Sequence, residues 1–386
     1  MLPDDVQDFV SSAVAGDTDA LQALLALSTN AATSDAARRE LSSLLERQLA
    51  SAASHCAEAW MLLATLHEAA GETQSALRSW YHSAQPHAKR NAARMQVLGI
   101  DTEASWTSRA AQIRKMRAEY LRDAFSDIRR AHGPRELFRI DRALAGYLGE
   151  ASVFSSHPTQ RPKVIFIPGL GTSGFLDPES HPVVPGLRAA FRDVQAEFDE
   201  VVSEQQALEP FLGHSGGGAL EGYVSGGDTA SWDAFFFFRH GRRFEASHQR
   251  CPRTSALLDS LDLCRINGQS PEICFSVLQP GSRIEPHFGV TNARVVVHLP
   301  LRVPPGCHLE LTDVGRHHWV EGEPMVFDDT FEHNAWNPSG EPRGILLMDA
   351  WHPNLSSVER EAFSRLIEAI SSIERDLDVT LEPQSV

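Results

Sequence analysis

The sequence predicts a two-part α+β chain, an all-α helical-repeat domain over residues 1–155 followed by a compact antiparallel β domain over residues 156–386. Three observations carry this. Ala, Leu, Gln, Glu and Arg dominate the first part, where Leu21, Leu24, Leu25, Leu41, Leu44 and Leu45 recur at helical spacing. Between Ala151 and Pro162 the composition turns to Ser, His and Pro, as at a domain boundary. From Phe275 to Pro353, short apolar runs are cut by Pro-Gly, Pro-Pro-Gly, Glu-Gly and Pro-Ser-Gly turns, the pattern of a small antiparallel barrel or sandwich.

Within the helical part the clearest unit is AEAWMLLATLHEAAGETQSALRSWYHSAQP. Its Trp60, Leu63, Ala64, Gly71, Ala76 and Trp80 stand at the spacings of a tetratricopeptide repeat, helix, Gly-containing turn, helix. Small Ala64 and Ala76 allow close helix approach, and Trp80 fills the gap toward the next repeat. Residues 17–50 and 89–106 read as degenerate neighbours. One repeat cannot bury its own face, so the array is either a peptide-binding groove or a structural cap. The helical pattern continues through Tyr120–Arg130 and Glu136–Leu148.

In the second part, Val164–Ile167 is β-rich, His181–Val202 is an amphipathic helix entered through Pro185, and Trp232–Phe238 is an aromatic strand. Ala256–Leu263 reads as a short helix. After the β segment, Ser356–Leu377 closes the fold as a helix with Phe363, Leu366, Ile367 and Ile370 on one face, before a polar tail. The stretch VIFIPGLG with Gly213-His214-Ser215-Gly216-Gly217 mimics a serine hydrolase. A nucleophile elbow needs a strand into Ser215 and a helix out of it, whereas Pro210 precedes it and more glycines follow. The segment reads as a glycine-rich loop.

The chain is long enough for more than one domain. A net charge of −16 disfavours nucleic acid and anionic membranes, which reward clustered Lys and Arg. The sequence shows no signal-like N-terminus and no spanning apolar run. Cysteines 56, 251, 264, 274 and 307 are odd in number, without a CxxC, so a cytoplasmic, reducing setting is expected.

The chemistry concentrates where strands begin and end. His287 precedes Val295–Leu299, and His333 follows Met325–Phe327. Imidazole is a frequent ligand of redox-active divalent metals. Arg343 opens the next strand, a cation suited to a carboxylate that also reaches the metal. The carboxylate of the common two-His facial triad stands two residues after the first His, and here that position is Gly289. Glu285, Asp329 and Glu332 are rival third ligands.

These segments, HFGVTNAR…HLPL, FDDTFEHNAW and the Arg-led strand ending DAWHP, resemble the iron(II)- and 2-oxoglutarate-dependent aspartyl/asparaginyl β-hydroxylase family. The likeness extends upstream through Trp232, GRRFEASHQRCPRTSALLD and the Cys264 loop, covering roughly Pro182 to Leu355. It implies a double-stranded β-helix (jelly-roll, cupin-like) oxygenase core in which His287 and His333 bind the metal and water replaces the carboxylate. It further implies that Arg343 and Ser276 hold the distal carboxylate of 2-oxoglutarate, and that His298 lies near the proximal one. The family's Arg two residues before that His is Val296 here. Arg294 shares the strand face of residues 296 and 298, so it could reach the same anion, hold the substrate or form an edge salt bridge. The family places Asp328 and Asp329 beside the site, and Asp329 is the candidate to accept the second N–H of a ligand His. In the family's lumenal members a disulfide loop stands where Cys251 and Cys264 lie, and these two are expected to be thiols.

The resemblance implies an Fe(II)- and 2-oxoglutarate-dependent dioxygenase that uses O2, hydroxylates an Asp- or Asn-type side chain and releases succinate and CO2. The helical domain favours a peptide or protein substrate over a small molecule. Two other classes stand against it, a catalytically inactive helical-repeat adaptor, favoured by Val296, and a serine hydrolase acting through Ser215.

Overall fold

The computed structural model describes the chain except residues 1, 4, 31, 52–55, 86–89, 101, 205–206, 212–222, 227–229 and 375–386. The chain divides into two compact units, residues 1–126 with 369–386, and residues 127–368. The expected boundary at 155/156 lies where helices give way to strands, later than the division between units.

In the first unit, α1 (Val6–Val14), α2 (Thr18–Thr29), α3 (Asp35–Ser51), α4 (Ala57–Ala69), α5 (Thr73–Ser83), α6 (Ala92–Val97) and α7 (Glu103–Asp123) follow in order. Asp17 starts α2 by accepting the Ala20 N–H, and Asn91 caps α6 in the same way. The helix pair expected around Gly71 is α4 and α5. Ala64 and Ala76 are fully buried between packed helices. Trp80 shares a core cluster with Ala57, Met61 and Ala64, and α7 residues Trp106, Ile113 and Met116 pack on it. Its indole N–H donates to Glu68 at 2.7 Å, and the Arg109 guanidinium of α7 lies over the ring.

The second unit holds α8 (Ser126–His132, opening at the unit boundary), α9 (Phe138–Tyr147), α10 (Val184–Ser203), α11 (Glu245–Arg250), α12 (Pro252–Ser260) and most of α13 (Ser357–Glu374). Its strands are β1 (Phe175–Leu176), β2 (Glu209–Pro210), β3 (Val224–Ser225), β4 (Trp232–Arg239), β5 (Arg242–Arg243), β6 (Ile273–Leu278), β7 (Arg283–His287), β8 (Arg294–Arg302), β9 (His308–Leu311), β10 (Gly315–His317), β11 (Met325–Phe327), β12 (His333–Trp336) and β13 (Arg343–Trp351). They form two antiparallel sheets among the described residues. The larger runs β1-β11-β8-β13-β6-β4-β2 with β5 beside β4, and the smaller runs β10-β9-β12-β7-β3.

Period-two alternation decides what each face meets. Phe275, Val277, Val295, Val297, Leu299, Leu346 and Met348 form one core with Val184, Leu187, Val194, Phe198 and Val201 of α10. The intervening residues Leu278, Val296 and Phe327 form a second core with Ile284, Leu309, Leu311 and Ala335 of the smaller sheet. The larger sheet is therefore buried on both faces, and its inner face and the smaller sheet enclose the cavity described below.

Three expectations change. Val164–Ile167 is not a strand; Ile165 makes one isolated bridge to Thr291, and Pro162 and Pro168 stand on either side. The helix expected over 256–263 runs from Pro252, whose fixed φ suits a first turn, to Ser260. On α13, Phe363, Leu366 and Ile370 are buried, but Ile367 is half-buried and Ala362 and Ile373 complete the buried face. The Gly213–Gly217 motif and the tail from 375 lie outside the described residues. The described strand ladders are all antiparallel, and nothing in them supplies the parallel sheet of an α/β-hydrolase. No described helix is long and apolar enough to cross a membrane. Cys251 and Cys264 are thiols, not a disulfide; burial pushes both of them up to about 12.

Candidate active site

A cavity of about 240 Å³ opens between the two sheets. Its walls are mostly apolar, with Phe211, Ile284, Val296, Leu309, Phe327 and Ile345 among them. Its polar lining gathers nearly every residue singled out in the sequence: Ser276, His287, Arg294, His298, Asp329, His333 and Arg343.

His287 ends β7 and His333 opens β12, and the antiparallel register sets them directly opposite. Their ring centroids are 4.1 Å apart. The Nδ1–H of His287 donates to its own strand, to the Glu285 carbonyl at 2.8 Å, and that of His333 to the Phe331 carbonyl at 2.9 Å. With both Nδ1 atoms so committed, both Nε2 lone pairs are free to ligate. Burial lowers the pKa of each ring, that of His333 to about 3, so both are neutral near pH 7. Asp329 therefore does not accept a second N–H from either histidine, as the sequence had suggested. Backbone carbonyls two residues back already do so.

Asp329 lies elsewhere. A Cβ placed on Gly289 would come within 2.2 Å of its carboxyl carbon. The Asp329 carboxylate thus occupies the space that a side chain two residues after His287 would take. Its Oδ2 lies 3.2 Å from Arg294, and its buried Oδ1 has no hydrogen-bond partner among the described residues. The other two rival carboxylates do not line the cavity: Glu285 accepts the Ser225 hydroxyl, and Glu332 is half-buried. Asp328, raised to about 6 by burial, accepts from Thr330 and Gln160 instead.

Arg294 is committed. Its Nη1 donates to Asp349 at 2.6 Å while Nη2 faces Asp329. Burial works against its charge, but the two carboxylates outweigh that and hold its pKa above the usual value. Of the three readings left open for Arg294, the salt bridge is the one present, and it is internal rather than at an edge. Arg242 and Arg243 do not reach the cavity; Arg243 pairs with Asp259 and Glu245.

Arg343 is the opposite case. It is 1% exposed, yet no carboxylate pairs with it among the described residues, and its Nε and Nη1 are buried without hydrogen-bond partners. Burial lowers its pKa to about 10, which still leaves it charged at neutral pH. An unpaired buried cation is expensive, so this cavity end is built for an anion. Ser276 lies on the same face one strand over, since Ile345 is its register partner. Its Oγ accepts from Trp232 Nε1 at 2.9 Å, which leaves the hydroxyl proton free to donate. His298 is held neutral by burial and by the nearby Arg343 charge.

Sequence reasoning missed three residues here. Phe211 stacks on Trp232 at 3.8 Å and lines the cavity. Trp319, outside any strand, contacts both Arg343 and His298; no periodicity could flag it. Asp349 had a usable signal, a lone acid inside the apolar run of β13.

Residues 188–353 match the family model described as Aspartyl/Asparaginyl beta-hydroxylase. Over 230 residues the chain is 32% identical to Aspartate beta-hydroxylase domain-containing protein 2 of Rattus norvegicus, covering 58% of this chain and 64% of that protein. The Homo sapiens protein of that name is 31% identical over 58% of this chain and 59% of its own length. The Homo sapiens Aspartyl/asparaginyl beta-hydroxylase is 34% identical over 139 residues, 35% of this chain and 18% of that protein. The matches thus span less than two thirds of these relatives. A crystal structure of a Pseudomonas putida prolyl-4-hydroxylase aligns over 47% of this chain and 90% of its own at 18% identity, with a TM-score of 0.26, too low to bear on the fold.

Proposed function

Residues 188–353 belong to the aspartyl/asparaginyl β-hydroxylase family, and on that premise we propose that the chain is an Fe(II)- and 2-oxoglutarate-dependent dioxygenase acting on an Asp- or Asn-type side chain of a peptide or protein. The observation that carries this reading is Arg343, charged, buried and unpaired among the described residues at one end of a cavity whose other polar groups include two facing neutral histidines. That arrangement suits a ligand with a carboxylate at one end and a chelating group at the other. The two sheets are read as a double-stranded β-helix.

The donor set fits iron. His287 and His333 would hold it through Nε2, each ring fixed by a backbone carbonyl as metal-ligating histidines commonly are. The Asp329 carboxylate, standing in the space above Gly289 with Oδ1 free, supplies negative charge beside them, either to the metal or to a water on it. Iron bound there would supply the oxidation in which 2-oxoglutarate and O2 give succinate, CO2 and a hydroxylated substrate. Arg343 would receive the distal carboxylate of 2-oxoglutarate in a bidentate fork, with the Ser276 hydroxyl donating beside it. His298 would serve the proximal carboxylate, without the Arg that the family also places two residues earlier, where Val296 stands here. Arg294 keeps Asp329 in place and is spent on that task and on Asp349. The apolar walls exclude water, which strengthens each of these charge contacts.

The second reading is a helical-repeat adaptor without catalysis, and Val296 is the feature that favours it. Succinate formation from 2-oxoglutarate separates the two. Protein loaded with Fe(II) under anaerobic conditions and then exposed to O2 should form succinate, and His333→Ala should form none. No succinate together with no 2-oxoglutarate binding would leave the adaptor.

A further inference from the structure

We propose that Trp319 is a positioning residue for the anion end of the cavity, an inference that rests on the oxygenase reading above. Trp319 lies in the connection between β10 and β11 and is 4% exposed. Two contacts of different kinds meet on its indole. The Arg343 guanidinium carbon lies 4.7 Å from the ring centroid, and the indole Nε1–H donates to His298 Nδ1 at 3.3 Å.

Each contact does something specific. A guanidinium resting on a ring face keeps its N–H groups available to another partner, and Nε and Nη1 have no hydrogen-bond partner among the described residues. Among the described residues no carboxylate holds Arg343, and the Trp319 ring lies against its guanidinium. On the other side, a donor at Nδ1 means that neutral His298 carries its proton on Nε2, where it can donate. One side chain thus sets two of the donors that a dicarboxylate would meet, a fork for one end and an oriented N–H for the other. A Leu at 319 would fill space and do neither. A Phe would keep the ring face and lose only the N–H.

The test compares two ligands on Fe(II)-loaded protein without O2: 2-oxoglutarate, and 2-oxopentanoate, which has a methyl where the distal carboxylate would be. The wild type should prefer 2-oxoglutarate. Trp319→Phe should bind both about tenfold more weakly, as expected for one lost hydrogen bond, with the preference retained. Trp319→Leu should reduce the preference itself by tenfold or more. A folded Trp319→Leu with the wild-type preference, or Trp319→Phe with wild-type affinities, overturns the inference while leaving the oxygenase reading intact. If Trp319→Leu does not fold, the nitrogen chemical shifts of His298 decide it. Wild type should show the Nε2–H form and Trp319→Phe a mixture, and an unchanged form in Trp319→Phe overturns the inference. A wild type that binds neither ligand overturns both.

Discussion

Gly289 and Asp329 trade places with what the common iron triad would put here. The chain lacks a side chain at 289, and the carboxylate of a residue forty positions later fills that volume. Gly289→Ala should therefore displace Asp329 or its own loop, at a cost of about 1–3 kcal/mol in denaturant unfolding and with weaker Fe(II) binding. Unchanged stability and metal affinity would show that Asp329 moves aside without effect. The buried histidines make an acid prediction with a definite sign. His333 titrates near 3 when folded and at about 6.5 when unfolded, so the unfolded chain binds the extra proton between those values. Stability of the metal-free protein is thus retained above 6.5 and lost as pH falls toward 3, at up to about 1.4 kcal/mol per pH unit for this one group. Urea unfolding across that range should show a shallower acid loss for His333→Gln than for the wild type. At this scale much of the site was legible, because ligand-type residues at strand ends are visible in the sequence. Roles set by three-dimensional pairing were not. The commitment of Arg294 to Asp349, and of both histidine N–H groups to backbone carbonyls, depends on register and on local chain geometry that no spacing reveals.

The elements that position these residues are read from alternation. β13 sends Leu346 and Met348 to the α10 side, and Arg343, Ile345, Leu347 and Asp349 to the cavity. Its close approach to α10 depends on Gly344, where an added Cβ would lie 2.0 Å from the Phe198 ring. Gly344→Ala should shift β13 off α10, lowering stability by about 1–3 kcal/mol. It should also weaken 2-oxoglutarate binding through neighbouring Arg343, which a calorimetric titration would register. Trp80→Ala in α5 should cost about 3–5 kcal/mol, all of it in the helical unit, as a large buried ring lost from a packed interface. Long periodic elements such as α10, β4, β8 and β13 were legible because their patterns run over many residues. Val164–Ile167 shows the opposite case: a β-rich composition without a partner strand makes only a bridge. The start of α12 at Pro252 was hidden because a proline reads as a breaker unless it is seen to occupy the first turn.

For the whole molecule, the change in composition near 151–162 marks the passage from helices to strands, while the compact units divide at 126/127 and the last helix passes from one to the other. The sequence could not show this, since α8 and α9 look like further members of the helical array and join the second unit through tertiary packing alone. The functional account depends on a single claim, that the buried Arg343, unpaired among the described residues, is kept for the carboxylate of a 2-oxoacid. The most direct test is calorimetric titration of 2-oxoglutarate into the anaerobic Fe(II) protein and into Arg343→Gln, with circular dichroism confirming that both are folded. The account predicts saturable one-to-one binding to the wild type and at least a hundredfold loss in Arg343→Gln. Equal affinity in the two proteins would contradict it.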